Sequence, residues 1–385
     1  MRLEPLPDGR GSVRGIGAAT IGYHAPLPPA PSGVADYAAA LLSELRKHAA
    51  VVVAPRRCDI ALYHLGNNAL HAEIYRRALE TPGVVVLHDA VLHHFLLGQL
   101  DERAYIEEFI YNYGEWNRAL AGELWRGRAA SGADPRYFAY PMLRRVAERA
   151  RAVVVHNPGA AALVRAHAPQ ARIVEIPHLF QAPRPAPAPA EAMRYRERLG
   201  ISPGAFLFGI FGYLRESKRL ATVLEVFAGL HQEIPLTALL VAGDFVSSDL
   251  ARAVAPLVAA PGVIRLPHLP EREFWLAASA VDACINLRHP AAGETSGIAM
   301  RLMGIGKPVF VTDSLECSRL PEDACVRIPP GLAERDSLRQ HMILLTSMNE
   351  VAAAIGQRGA GHIAAHHRVQ EIGKRYFELL CEHRT

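Results

Sequence analysis

The chain has 385 residues, half of them hydrophobic, which is too long for one ordinary core and predicts two domains of roughly 150–200 residues each. Its 42 basic and 38 acidic residues leave a formal net charge of +4, so composition gives no case for nucleic acid as a partner. The five cysteines are scattered, odd in number and form no C-x-x-C pair, which argues against a disulfide framework or structural zinc and for a reducing compartment. The first residues, MRLEPLPDGRGSVRG, lack an apolar core and do not read as a signal peptide. No apolar run approaches the ~20 residues that span a bilayer. The expected location is the cytoplasm, either free or peripheral at the inner membrane face.

Short β-branched runs alternate with longer helical patterns. In the first half they are GAATIGY (17–23), AAVVVAP (49–55), IALYHLG (60–66), GVVVLHD (83–89), AVVVHNP (152–158) and RIVEIPH (172–178). They are nearly continuous in apolar residues rather than alternating, as strands of a parallel sheet buried on both faces should be. Between the first two, GVADYAAALLSELRKHA repeats apolar residues at three and four, with Ser32 as its N-cap. Residues 100–150 show helical patterns only and read as an inserted helical cover, or as an acceptor pocket or membrane-surface face. The Pro-Ala alternation from Pro185 to Ala190 predicts a stiff, extended linker within 182–195. A second set of strand runs follows: FLFGIFG (206–212), TALLVAGD (237–244), GVIRLPHL (262–269), DACINLRH (282–289) and KPVFVTD (307–313), with ACVRIPP as a further candidate. The halves therefore repeat one βαβ plan, residues 1–181 and 196–365, and two facing doubly wound sheets would place a ligand in the cleft between them. The last segment, 366–385, is expected to be a helix that packs back on the N-terminal domain. The HHR at 366–368 reads as a solvated helix face.

Four stretches carry chemistry. In PLPPAPSGVADY a strand is followed by a Pro-rich loop and by Ser32-Gly33 opening a helix, where free amides attract an anion and Gly admits a phosphate, or where the chain simply turns under an N-cap. In FGYLRESKRL a strand ends at Gly212 and the next loop carries Arg215, Lys218 and Arg219, cations suited to a diphosphate or merely solvated. In HPAAGETSGIAMRLMGIGKPV the residues Glu294, Thr295, Ser296 and Gly297 stand at a helix start. Their amides could cradle a phosphate, or Glu294 could be a capping acid favoured by the helix dipole. In VVVLHDAVLHH, His88 and Asp89 end a strand, and the spacing to His93 and His94 does not make a metal site. A histidine there reads as a hydrogen-bond partner, a weak acid or base, or a packing residue.

Taken together, these stretches resemble the GT-B-fold retaining enzymes of glycosyltransferase family 4, in a variant with a GETSG-type donor motif. The resemblance runs from about Ile16 to His366 and is carried by PPAPSGVADYAAALLSEL, VVVLHD, IFGYLRESKRL, LLVAGD and LRHPAAGETSGIAMRLMGIGKPVFVTD. It implies two Rossmann-like domains and a nucleotide diphosphate sugar held mainly by the second. The diphosphate would meet Gly33, Gly212, Lys218 and the amides near Thr295, Ser296 and Gly297; His88 would face the transferred sugar and Glu294 its hydroxyls. It implies no metal and no cofactor beyond the donor itself, since cations and amides neutralise the leaving diphosphate. The acceptor would be a glycan, a lipid-linked sugar or a small molecule, in polysaccharide, glycolipid or natural-product synthesis.

The chain departs from the family pattern in two places. Tyr213, not Arg, follows Gly212, leaving Arg215 or Arg219 to supply that charge. The second Glu of the donor block, which holds the ribose, is absent: counting forward from Glu294 puts Leu302 there, and counting back from Gly306 puts Arg301 there. Either ribose recognition differs, or Arg301 serves the phosphates, or donor binding is impaired. The alternatives to a transferase are a non-catalytic sugar-nucleotide or glycan-binding relative and another GT-B enzyme such as a sugar-nucleotide epimerase.

Overall fold

Runs such as VVVL and AVVV must be covered on both faces, and the chain covers them by building two all-parallel sheets with helices on either side. The computed structural model describes residues 20–383. The N-terminal stretch discussed above, and residues 17–19 of the first strand run, lie outside them. Strands β1 (Thr20–His24), β2 (Ala50–Val53), β3 (Ile60–Leu65), β4 (Val84–Leu87), β5 (Ala152–Val155) and β6 (Ile173–Glu175) form the first sheet, in the order β2-β1-β3-β4-β5-β6. Strands β7 (Phe206–Phe211), β8 (Thr237–Ala242), β9 (Val263–Leu266), β10 (Ala283–Asn286), β11 (Val309–Thr312) and β12 (Val326–Ile328) form the second, in the order β12-β11-β10-β7-β8-β9. The expected doubly wound architecture is borne out.

Alternation within each strand feeds two cores. In β3, Ala61, Tyr63 and Leu65 pack to one side and Ile60 and Leu62 to the other. In β7, Leu207 and Phe211 face one core while Phe206, Phe208 and Ile210 face the opposite one. Residues 102–149 form a series of helices joined by short turns, with no strand among them, and Tyr105, Phe109, Leu124 and Tyr137 are buried against Val85, Leu87 and Val153. That segment is thus a cover over one face of the first sheet.

The strand order reverses between β1 and β3 in one sheet and between β7 and β10 in the other. At such a point neighbouring loops leave in opposite directions and open a crevice at the strands' carboxyl ends. Three of the four chemistry-bearing stretches, those after β1, β7 and β10, hang from these two points.

Two expectations are corrected. The Pro-Ala stretch is not extended throughout: a helix, Pro189–Arg198, begins inside it. Proline is pre-organised for the first helical position, and Glu191 Oε2 accepts the Ala188 amide at 2.9 Å. The HHR segment is a solvated face only in part: His366 and Arg368 are exposed, but His367 is not. The helix Asn349–His366 ends there and the chain crosses to the first domain. His367 is buried, its Nδ1–H donating to His178 O at 2.6 Å, while the Phe180 amide donates to His367 O at 2.7 Å. The helix Val369–Glu382 then buries Ile372, Tyr376, Leu379 and Leu380 against Leu41, Leu45 and Leu62 of the first domain.

One glycine is demanded by this arrangement. Gly243, at the end of β8, has φ +148°, and a Cβ there would overlap Gly212 O and stand 2.7 Å from the Gly212 carbonyl carbon. Because backbone rather than a flexible side chain is in the way, Gly243→Ala should shift the loop after β7. We expect a destabilisation of about 2–4 kcal/mol in chemical denaturation; an unchanged midpoint would refute this.

Candidate functional site

The loop after β7 is short, and it buries its lysine. Gly212 adopts φ +78°, where L side chains are strained, and Lys218 folds back so that Nζ donates to Phe211 O at 2.7 Å. A Cβ on Gly212 would lie 3.3 Å from Lys218 Nζ and 3.7 Å from Ile298 Cγ1. The β7 loop therefore meets the start of the helix Gly297–Gly304. Burial, and then the nearby Arg288 and Arg215, push the Lys218 ammonium well below its ordinary range. Arg215 is exposed on the same loop. Arg219 points elsewhere, pairing with the buried Glu334 at 2.8 and 3.1 Å.

The loop after β10 is organised by an arginine that the sequence reading passed over. Arg288 Nη1 donates to Glu294 Oε1 at 2.8 Å and its Nη2 to Ser296 Oγ at 3.1 Å. Glu294 does not cap the helix. Ser296 does, taking the Ala299 amide at 3.2 Å, while Glu294 Oε2 takes the Ala292 amide at 2.9 Å. Burial alone would push the Glu294 carboxyl up, but Arg288 and the backbone amides outweigh it and hold the group below its ordinary range. The amides of Gly297 and Ile298 have no partner available within the helix. The only signal for Arg288 in the sequence was a charge ending an otherwise apolar strand run.

This loop is also the seam between the domains. Thr295 Oγ1 accepts from Asn157 Nδ2 at 2.9 Å, and the same amide donates to Gly293 O at 2.9 Å. The amides of Ala90 and Val91 both donate to Ala292 O, at 2.9 and 3.2 Å. Gly293 (φ +72°) lies so close to the first domain that a Cβ would stand 2.6 Å from Ala90 Cβ. Asp89, beside Ala90, has its carboxyl raised by burial and by the charge of Glu294. Two carboxyls from opposite domains are thus shifted in opposite directions.

On the far side of the seam the first domain supplies Gly33 and His88. Ser32 Oγ accepts the Val34 amide at 3.2 Å and starts the helix Gly33–Leu45; a Cβ on Gly33 would meet nothing within 4 Å, so the loop is open there. Tyr213, which follows Gly212, reaches across and donates its hydroxyl to Pro31 O at 3.0 Å. Arg301 also bridges: Nη2 meets Asp36 Oδ2 of the first helix and Nη1 meets Glu271 Oε2, both at 3.1 Å. His88 is buried, with Nε2 2.9 Å from His64 Nδ1 and its ring edge-on to Tyr37 at 4.8 Å. Tyr37 in turn contacts His178, whose Nε2 lies 3.6 Å from the position of a Cβ on Gly297. Burial, reinforced by His156 and His64, holds His88 well below 6.5, so it is a neutral imidazole at pH 7.

The structure therefore brings Gly212, Lys218 and the start of the helix Gly297–Gly304 together and ties them to the helix Gly33–Leu45 through Tyr213 and Arg301, while Arg215 stays exposed and Thr295 turns to Asn157. It places His88 behind Tyr37, turns Glu294 onto Arg288 and uses Arg301 as a strut. Among the described residues no group of three or more His, Cys, Asp or Glu side chains is arranged to hold a metal ion, and no helix is long and apolar enough to cross a membrane.

No protein-family model matches the sequence, and no curated protein matches it. Solved structures do match in shape. A sucrose-phosphate synthase from Thermosynechococcus elongatus aligns with TM-score 0.65 at 15% identity over 94% of this chain and 98% of that one. WaaG, a glycosyltransferase of lipopolysaccharide biosynthesis, aligns with TM-score 0.63 at 13% identity over 94% and 99%. Anabaena HepE in complex with UDP and glucose aligns with TM-score 0.62 at 14% identity over 94% and 100%. At this identity the likeness establishes the fold, which is GT-B.

Proposed function

We propose that the protein is a metal-independent, retaining glycosyltransferase of family 4 type, moving a sugar from a nucleotide diphosphate donor to an acceptor. The observation that carries this reading is the convergence of Lys218, Gly212 and the start of the helix Gly297–Gly304, tied to the helix Gly33–Leu45 and its loop by the Tyr213–Pro31 and Arg301–Asp36 contacts. A diphosphate there would meet a cation, two glycine approaches and two helix N-termini, which suits stabilisation of a leaving group that gains charge. HepE, which binds UDP and glucose, and WaaG share the fold and support the assignment.

Within this reading, Arg301 does not replace the missing ribose carboxylate but presents one. Glu271 opens the helix Glu271–Ala280 and is held by Arg301 and by Trp275 Nε1, which donates to its Oε1 at 2.7 Å. We assign the ribose hydroxyls to Glu271. Glu271→Gln should raise the donor KM about tenfold, the effect of weakening one charge-assisted hydrogen bond, with little change in kcat.

The test is turnover of a panel of nucleotide sugars, with the anomeric configuration of the product read by NMR. Product that keeps the donor's configuration supports the proposal, and an inverted product removes retention. Absence of both turnover and nucleotide binding would sink the donor site itself. Product formed without any acceptor would point to an epimerase.

A further inference from the structure

The strand β2 departs from the rule that builds the two sheets. Its residues AVVV (50–53) repeat those of β5, AVVV (152–155), yet β5 is buried throughout while β2 leaves Ala50, Val52 and Val53 exposed. The difference is position. β5 lies between β4 and β6, whereas β2 is the outer strand and pairs with β1 alone. A charge or a proline within an outer strand usually blunts it. β2 has neither, and Val52 and Val53 are 46% and 38% exposed on its two faces.

Charge is gathered instead at both ends of the strand. The stretch RKHAAVVVAPRR (46–57) holds Arg46, Lys47, Arg56 and Arg57 and no acid. All four cations are exposed. Lys47 pairs with Glu44 at 2.5 Å, and Arg46, Arg56 and Arg57 make no ion pair among the described residues. The acids nearby are engaged elsewhere. Glu44 also approaches His48 at 3.6 Å, Glu73 is held by Arg76 and Arg77, and Asp59 accepts the Thr20 amide at 2.7 Å. A shallow groove of about 560 Å³ sets the same Arg46 against Leu27, Pro28, Ala39 and Leu42. The edge is thus apolar along its middle and cationic at either end.

A second copy of the chain fits this edge badly. Antiparallel pairing would set Arg46 and Lys47 against the Arg56 and Arg57 end of the copy, and parallel pairing would set each cluster against itself, so like charges meet either way. An extended acidic peptide would need a ladder to pair with. Ala54, at φ +47°, turns the chain out of the strand, and only the four residues Ala50–Val53 remain, fewer than the about 5–6 of an ordinary strand. A bilayer needs no ladder. It takes apolar side chains at its surface and draws lysine and arginine to anionic head groups. We infer that the β2 edge of the first sheet is a docking surface for an anionic lipid bilayer, with Val52 and Val53 among the head groups and Arg46, Lys47, Arg56 and Arg57 on the phosphates. The inference stands apart from the transferase reading, because the binding is measured without turnover. β2 pairs with β1, whose loop leads to Gly33, so the bound bilayer would lie one strand from that loop.

The experiment is flotation of the full chain with vesicles of phosphatidylcholine alone or mixed equally with phosphatidylglycerol. Partition to the mixed vesicles should be stronger by about 100-fold or more, since each lysine or arginine at an anionic surface contributes about fivefold. Added salt should remove most of that preference. Arg56→Glu with Arg57→Glu should lower binding to the mixed vesicles by about 25-fold or more. Val52→Ser with Val53→Ser should lower it about tenfold and keep the salt dependence. The two edge variants remove different contacts, so a folding defect in one, seen in its melting temperature, leaves the other to decide. Arg126→Glu with Arg128→Glu makes the same charge change on exposed residues of the helical cover and should leave binding unchanged. Equal binding to both kinds of vesicle, binding to neither, or a loss with the cover variant and not with the edge variants overturns the proposal. So does a dimer in light scattering that Val52→Ser with Val53→Ser dissolves, or an edge that takes a polyglutamate peptide and no vesicle.

Discussion

Lys218→Met is expected to lower kcat/KM for the nucleotide sugar by about 100- to 1,000-fold, the usual effect of deleting one preorganised donor from a site where negative charge develops. Lys218 is already buried beside Arg288 and Arg215, and these surroundings lower its pKa before any ligand arrives. A diphosphate would supply the missing counter-charge and favour the ammonium. UDP binding should therefore take up protons, and affinity should fall as pH rises through the depressed Lys218 range. Calorimetry in buffers of different ionisation enthalpy reads this directly. Proton uptake in the wild type that disappears in Lys218→Met supports the assignment; equal uptake in both removes Lys218 from the phosphate site. Lys218→Arg should not rescue, because the planar guanidinium cannot make the compact bond that Nζ makes to Phe211 O.

Those parts of the site that depend on local chain chemistry were legible in the sequence. Strand ends, glycines at Gly212 and Gly297, and the Ser32 cap follow from period, turn chemistry and capping, all of which act within a few residues; the cap of the helix Gly297–Gly304 was expected at Glu294 and is Ser296. What escaped were contacts set by how two domains meet. Arg288 lies in a stretch that reads as one more strand, and only the folded loop shows it clamping Glu294 and Ser296. Asn157 caps its own helix through Oδ1 and holds the seam through Nδ2, and the second task leaves no mark in the sequence. His367 reads as a polar residue on a helix end because its burial is produced by the crossover beside Phe180, distant in sequence. The Pro-Ala stretch failed for a different reason: proline favours both an extended chain and the first turn of a helix, and Glu191 decided between them.

The departures from the pattern of the family that the sequence resembles then acquire a common sense. Tyr213 bonds to the Pro31 carbonyl and Arg301 to Asp36, so the two residues that break the pattern are the two that tie the second domain to the first helix and its loop. Exposed pairs of this kind contribute little stability individually, about 0–1 kcal/mol. Their effect is on the relative placement of the lips of the cleft, and hence on how much of the donor's binding energy goes into closing it.

Acid should unfold this protein earlier than its carboxylates alone would. His64, His88, His156 and His178 ring Tyr37 near the seam, and His367 joins them through the His178 carbonyl. Burial lowers all five, with His156 and His367 at about 4 against 6.5 for the free side chain. The sign follows from proton counting. Above pH 6.5 both states are neutral at these rings and stability is fully present. Below 6.5 the unfolded chain takes up protons that the folded chain refuses, so stability is lost as pH falls from 6.5 towards 4. At pH 5 the loss is about 2 kcal/mol per ring for His156 and His367, or about 4 kcal/mol from the pair. The titratable neighbours do not reverse this. Tyr37 and Tyr376 stay protonated, their hydroxyls 3.0 Å apart, and Arg301 opposes a charge on His178. The melting temperature should be nearly flat from pH 8 to 7 and fall steeply between 6.5 and 4.5. His156→Gln, which retains an N–H for the Ile176 carbonyl, should recover part of the loss at pH 5 while changing little at pH 8. A wild-type melting temperature that stays flat down to pH 5 would show that these rings are hydrated or charged in the folded protein, and that the seam between the domains is more open than the structure has it.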